Sequence, residues 1–332
     1  MQHERHIVEE GKSGILLVGI LSNPRSSTNA EGMSRIRSIV DATPHVIHFE
    51  LDGIESIDEG LALFARAGVG LVVINGGDGT IGAVLAALLY RNPFKSTPPV
   101  SFLPGGKTNM TAADLGAKGR PDAVLKKLLR LAAFGKVDDN LTSRQLIELD
   151  LGDGSHPKVG TFFGTAGIVK GIFWCRENAY SLGLPNWMAH LWSAFKLISS
   201  AAGLGKDRNL MASEPMQLDV RGRVTLTGRF AIVTATTLDR LLFGLRPYAE
   251  DGLGGLRFAA VEFGGANVWR GMRDLLTGVF GRRPAEGVHT YCGDEILIEG
   301  SDPMTLDGEI YTPIPGRPVV LRGDKCLTFV RL

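Results

Sequence analysis

The sequence predicts an α/β protein: a mostly parallel sheet with helices in the first part of the chain, and a β-sandwich or partial barrel after it. Three observations predict this. Short apolar runs alternate with helical patterns up to about residue 140. Beyond that point several segments carry apolar residues at every second position. Glycine, 43 of 332 residues, recurs where the early apolar runs end, so tight turns and close backbone approaches are expected there.

Taken in order, residues 14–21 (GILLVGIL) form the first strand and stop at Asn23 and Pro24. Residues 46–51, 70–74 (GLVVI) and 99–103 supply the next three. Helical spacing falls at about 30–40, 57–68, 80–91 and 121–133. Apolar strands separated by helices imply a parallel sheet covered on both faces, and such sheets bind ligands beyond the carboxyl ends of their strands. After residue 140, segments 145–151, 216–221, 230–236 and 295–299 read as strands, with helical inserts near 186–202 and 266–280. The division expected is 1–140 and 141–332, with the last strand, 325–331, free to return to either part.

Composition narrows the class. Lys and Arg number 36 against 35 Asp and Glu, a net charge of +1, so there is no basic field for nucleic acid. Hydrophobic content of 44% with 21% charged residues describes a folded chain with a sizeable core. Cys175, Cys292 and Cys326 are widely spaced, which suits a reducing compartment rather than a disulfide framework or a zinc site. Residues 1–13 lack the apolar centre of a signal peptide, and the longest apolar stretch, 187–205, contains His190 and Lys196 and does not read as a membrane span. A cytoplasmic protein is expected.

Three loops carry the chemistry. Asn75, Gly76, Gly77, Asp78, Gly79 and Thr80 follow a buried strand and open a helix, a setting for an anion such as phosphate; Asp78 there suits a metal or a proton, or simply a helix cap. Gly77, Gly79 and Gly82 also fit the dinucleotide fingerprint, yet the next strand lacks its acidic residue, so a dehydrogenase is not expected. Gly105, Gly106, Lys107 and Thr108 imitate the end of a P-loop, but Ser101 stands where its first glycine belongs; a second phosphate-facing turn is expected instead. Asn23, Pro24, Arg25 and Ser26 close the first strand with groups suited to phosphate or ribose.

Together with Asn109 and a late Asp307, Gly308, Glu309, these loops resemble, in order and spacing, the diacylglycerol kinase catalytic-domain superfamily, which includes ceramide and sphingosine kinases. The resemblance implies a nucleotide-binding α/β domain followed by a β-sandwich domain, using ATP and Mg²⁺. It implies that Asn23, Arg25 and Ser26 touch the nucleotide, that Gly76, Gly77, Asp78, Gly79 and Thr80 cradle its phosphates and metal, and that Gly105, Gly106, Lys107, Thr108 and Asn109 form a further phosphate-facing turn. Asp307 or Asp78 would take the acceptor proton, with Glu309 supporting nucleotide or metal. Asp307 is the preferred base, because it comes from the other side of the cleft, and Asp78 then accompanies Mg²⁺. The sequence departs from many members at Met110, where they carry Asp, and the loop 247–252 is too short to claim a second, structural metal.

The implied function is transfer of the ATP γ-phosphoryl group to the hydroxyl of a membrane lipid such as diacylglycerol, ceramide or a sphingoid base. Such an enzyme must reach a bilayer. Residues 267–283 carry Trp269, Met272, Leu275, Leu276, Val279 and Phe280 among four arginines and one aspartate, a pattern for an interfacial helix on the inner face of the membrane or for a helix packed on its own domain. Two other classes remain: a soluble NAD kinase-like enzyme, against which stands the lack of any Asn-Glu dipeptide, and a non-catalytic nucleotide- or lipid-binding protein, against which stand Asp78, Asp307 and Glu309.

Overall fold

The computed structural model describes residues 16–26, 29–106, 109–174, 213–241, 246, 252–283 and 285–332. Four strands, β1 (Val18–Ser22), β2 (Val46–Glu50), β3 (Leu71–Gly76) and β4 (Val100–Pro104), lie parallel in the order β2-β1-β3-β4. Residues of β1, β3 and β4 are buried throughout, as continuous apolar strands covered on both faces must be. Helices α1 (Asn29–Asp41), α2 (Ile57–Ala67), α3 (Asp78–Tyr90), the short α4 (Met110–Asp114) and α5 (Pro121–Ala133) connect and cover them. Local chemistry sets their ends. Gly68 closes α2 in the left-handed conformation at φ 75, with amides 68 and 69 bonded back to Ala65 and Phe64. Pro121 opens α5 at its first position, where its missing N–H costs nothing. Phe64 is fully buried with its ring against Gly19, where a Cβ would stand 2.7 Å from the ring. Burying such a side chain contributes roughly 1.5–3 kcal/mol.

The same sheet takes in two later strands, β5 (Leu141–Gln145) and the last strand, β18 (Cys326–Val330). β18 runs parallel to β4 and antiparallel to β5, so the end of the chain returns to the first sheet. The expected strand 145–151 is in fact two. The backbone leaves the first sheet at Gln145, and β6 (Ile147–Asp150) enters a second sheet, paired with β17 (Val319–Arg322). Leu146, fully buried, is the crossing point, and its N–H bonds to the Lys325 carbonyl. An alternating pattern fixes which side chains face inward, but not which sheet each half joins.

The second part consists of two antiparallel six-stranded sheets. One has the order β10-β9-β14-β17-β6-β7, with β7 (Lys158–Gly160), β9 (Met216–Val220), β10 (Val224–Gly228) and β14 (Glu295–Glu299). The other has the order β13-β12-β11-β8-β15-β16, with β8 (Phe162–Ala166), β11 (Phe230–Thr236), β12 (Leu256–Glu262), β13 (Val288–Gly293), β15 (Met304–Leu306) and β16 (Glu309–Tyr311). Their inner faces share one core containing Ile147, Leu218, Ile296 and Leu321 from the first and Phe163, Val233, Phe258 and Leu306 from the second, which makes them a sandwich. Two helices, α6 (Gly167–Trp174) and α7 (Gly265–Leu276), pack on the second of these sheets. The expected helix near 186–202, Cys175 and the loop 247–251 lie outside the described residues.

α3 joins the two parts of the molecule. It packs on β7 as well as on its own sheet, and a Cβ on Gly82 would come within 2.8 Å of the Val159 carbonyl oxygen. The third glycine of the apparent dinucleotide fingerprint therefore serves helix-to-strand contact rather than a cofactor.

Candidate active site

Strand order reverses between β1 and β3: from β1 the chain moves out to β2, then back across to β3. That crevice, beyond the carboxyl ends of the strands, is where an open parallel sheet holds ligands. The first two predicted loops meet there, with the Asn23 N–H donating to the Asn75 carbonyl at 2.8 Å. The third is beside them. A Cβ on Gly105 would come within 2.9 Å of the Gly76 carbonyl oxygen, and one on Gly106 would stand 3.2 and 3.3 Å from the Asp78 carboxylate oxygens. These glycines allow two backbones and a carboxylate to share a space that any side chain would fill.

Gly77 caps α3 without a side chain, and the first helical bond runs from the Ile81 N–H to the Gly77 carbonyl at 3.0 Å. A Cβ on Gly77 would meet no described residue within 4 Å. A helix N-terminus without a capping side chain, beside a second glycine turn, is suited to an anion.

Other predicted residues hold the loops rather than face the opening. Thr80 is buried, and its hydroxyl accepts from Asn23 Nδ2 at 2.7 Å. Asn23 Oδ1 accepts from the Arg25 N–H at 3.0 Å, forming an Asx turn that leaves Arg25 exposed. Asn109 takes the left-handed conformation at φ 50 and closes its own turn, its amide exchanging two 2.8 Å bonds with the backbone of Gly106. Lys107 and Thr108 lie outside the described residues. Beneath the loops is a polar layer that the sequence did not flag. Asn29 Nδ2 donates to the carbonyls of Asn23 and Asn75, and Asn75 Nδ2 donates to Ser22 Oγ, which also meets His48 Nε2 at 2.9 Å. Burial pushes the His48 imidazole below its usual pKa, with Glu50 opposing. Among the described residues Ser26 Oγ and Asn75 Oδ1 are buried without a partner, the condition of a site whose polar ligand completes it.

The second part of the chain closes the site from the opposite side. Asp307 turns the β15–β16 hairpin at φ 48, its N–H bonded to the Phe162 carbonyl at 2.8 Å. Its Oδ2 accepts from the Thr161 N–H at 2.9 Å; its Oδ1 accepts from the Thr161 hydroxyl at 3.0 Å and the Phe162 N–H at 2.9 Å. Burial and then the negative charge of Asp78 push Asp307 up from 3.8 to about 7, against those three hydrogen bonds, although part of its surface stays open. The charge of Asp78, from the first part of the chain, thus reaches Asp307 in the second. Glu309, exposed, lies over α3, where a Cβ on Gly79 would meet Glu309 Oε1 at 2.9 Å. Thr161, buried, is a further residue that sequence reasoning missed. Its hydroxyl also meets Thr111 Oγ1 at 2.7 Å, and its carbonyl accepts from Thr236 Oγ1 and the Thr237 N–H.

The residues fit Mg²⁺ bound together with a nucleotide. Among the described residues no group of three or more His, Cys, Asp or Glu could hold a metal by itself. Mg²⁺ characteristically takes one or two carboxylates and completes its shell with phosphate and water oxygens, which is what Asp78 and Glu309 beside an anion-seeking loop offer.

Comparison with known proteins bears on the fold and on the first part of the chain. Residues 18–137 match the family model of the diacylglycerol kinase catalytic domain. Over that stretch the chain carries a catalytic domain of the diacylglycerol kinase type. A crystal structure of a diacylglycerol kinase from Bacillus anthracis str. Sterne superposes with a TM-score of 0.60 at 14% identity, over 95% of this chain and 96% of that one. A second structure from the same organism gives 0.64 at 14% identity, with the same coverage. At this identity the likeness shows a shared fold through both parts of the molecule. No curated protein matches the chain.

Proposed function

We propose that this kinase-type protein transfers the γ-phosphoryl group of ATP to the hydroxyl of a membrane lipid, diacylglycerol or a ceramide- or sphingoid-type alcohol. One observation carries the reading: Asp307, an up-shifted carboxyl on a hairpin of the sandwich, lies within the field of Asp78 in the glycine loops of the parallel sheet. Gly76, Gly77 and Gly79 with Gly105 and Gly106 would hold phosphates through backbone amides; Asp78 and Glu309 would hold Mg²⁺. When bound, Mg·ATP supplies the phosphoryl group and neutralises its developing charge. The remaining work falls to positioning and proton transfer. Of about four acceptor positions on an ionised carboxylate, three on Asp307 are used, leaving one on Oδ2 for the acceptor hydroxyl. A carboxylate titrating near 7 is matched to taking that proton at neutral pH. The catalytic-domain family favours this reading over an NAD kinase-like enzyme. The test is a radiolabelled ATP assay against lipid alcohols in mixed micelles, with NAD as a control acceptor. Label in a lipid product supports the reading; label only in NADP, or in no acceptor, contradicts it.

A peripheral membrane contact through 267–283 belongs to the same proposal. Among the described residues no helix is long and apolar enough to cross a membrane. On α7, Trp269 is 52% exposed and Leu276 72% exposed, whereas Phe280 is only 7% exposed and packs with Val268 and Val261. The outward pair, flanked by Arg270 and Arg273, is the candidate contact. Trp269→Ala combined with Leu276→Ala is expected to weaken sedimentation with anionic vesicles several-fold, and added salt to weaken it further. Unchanged sedimentation would mean that α7 serves only its own domain.

A further inference from the structure

Asp307 is reached from the nucleotide loops by a chain of two hydroxyls. Thr111 follows the third glycine turn by two residues beyond Asn109, in the first turn of α4. Its Oγ1 lies 2.7 Å from Thr161 Oγ1, which lies 3.0 Å from Asp307 Oδ1. The direction of the chain follows from counting protons. An ionised Asp307 can only accept, so the single Thr161 hydroxyl proton points to it, and Thr111 must then donate to Thr161.

We propose that Thr111 is a positioning residue that fixes the Thr161 hydroxyl, and through it the Asp307 carboxylate, so linking the nucleotide loop to the acceptor side of the site. The inference rests on the reading of Asp307 as the base. Both ends of the link are held. Thr161 has its N–H on Asp307 and its carbonyl on Thr236 and Thr237, so its hydroxyl has little freedom beyond the Thr111–Asp307 line. α4 is anchored behind Thr111 by Asp114, which pairs with Arg144 at 3.0 Å; Arg144 in turn pairs with Asp239 at 2.5 Å, just beyond β11. On the other side, the Asn109 side chain ties α4 to Gly106, against which Asp78 rests. A shift of the glycine turn is therefore carried to Thr111.

Thr111 is half-buried while Thr161 is buried, so Thr111 is also where the chain meets the open site. Consecutive hydrogen bonds ending on a charge strengthen one another, so the Thr111 hydroxyl holds the Thr161 hydroxyl on Asp307 Oδ1. Among the described residues, the titratable groups bearing on Asp307 are Asp78 from α3 and Tyr311 from β16. Neither lies on α4, so removing the Thr111 hydroxyl changes no charge at the base.

The experiment is amide hydrogen exchange by NMR at Thr161 and Phe162, whose N–H groups both bond Asp307, on wild type, Thr111→Val and Thr111→Ser without nucleotide, with steady-state transfer measured at one pH beside it. The valine variant keeps shape and removes the hydroxyl; serine restores it. Exchange at both amides is expected to speed by about tenfold or more in Thr111→Val and to return in Thr111→Ser, with kcat falling and recovering in parallel while KM for ATP is unchanged. If exchange at these amides in Thr111→Val equals that of wild type, or serine does not restore it, the inference is overturned, whatever happens to thermal stability. Because hydrogen exchange needs no turnover, failure of the kinase reading appears separately, as absence of transfer by wild type.

Discussion

Replacing Asp307 by asparagine is expected to lower kcat by about 10²-fold or more and leave the lipid KM nearly unchanged, the signature of a group acting only in the transition state. The substitution keeps size and hairpin position but cannot take a proton. It also sets an amide N–H₂ against one of the backbone N–H donors from Thr161 or Phe162, a cost of about 1–3 kcal/mol, so the unfolding midpoint is to be measured beside the rate. Two opposite pH dependences follow for the wild type. Activity should rise as pH passes through about 7, because the base must be ionised. Stability should move the other way. The native state keeps a proton on Asp307 that the unfolded chain gives up near its ordinary value of 3.8, so this contribution is complete below that value and lost as pH rises toward 7. Asp307→Asn should lack both. A near-normal kcat in this variant, with Asp78→Asn inactive, would assign the base to Asp78.

Asp78→Asn is expected to be the more damaging change: loss of Mg²⁺-dependent turnover by about 10³-fold or more, the scale of several kcal/mol of charge stabilisation at a transferring phosphoryl group. The fold should survive. Asp78 sits in the first turn of α3, where losing a negative charge costs roughly 0.3–1 kcal/mol, and asparagine preserves the volume against Gly106. A second readout is independent of turnover. Because the charge of Asp78 helps raise Asp307, the Asp307 titration should move downward in Asp78→Asn. Wild-type turnover together with an unmoved Asp307 titration would make the loop purely structural.

The parallel sheet and its loops were legible because the signals are local. Buried strands read as apolar runs, and glycine marks the turns at Gly76, Gly77, Gly105 and Gly106. Asp307 was reached only through a motif, since nothing in its neighbourhood shows that it will meet Thr161, 146 residues earlier. Thr161 and Thr111 carried no signal: a threonine between two strands or in a helix is ordinary until tertiary pairing sets two hydroxyls 2.7 Å apart. The split at Leu146 and the role of Gly82 were hidden for the same reason, since each depends on what a distant segment brings to it. Phe280 shows the limit of a composition argument. In the sequence it belongs with Trp269 as an apolar residue beside arginines; in the fold it turns inward while Trp269 turns out.

The central claim is a division of labour: loops of the parallel sheet hold the nucleotide, and the sandwich supplies the proton acceptor. Calorimetric titration of Mg·ATP into wild type, Asp307→Asn and Asp78→Asn tests it most directly. The account predicts that Asp307→Asn binds Mg·ATP as the wild type does, within about threefold, while Asp78→Asn loses at least about tenfold in affinity, roughly 1.4 kcal/mol. Equal weakening in both variants, or normal binding by Asp78→Asn, would contradict it.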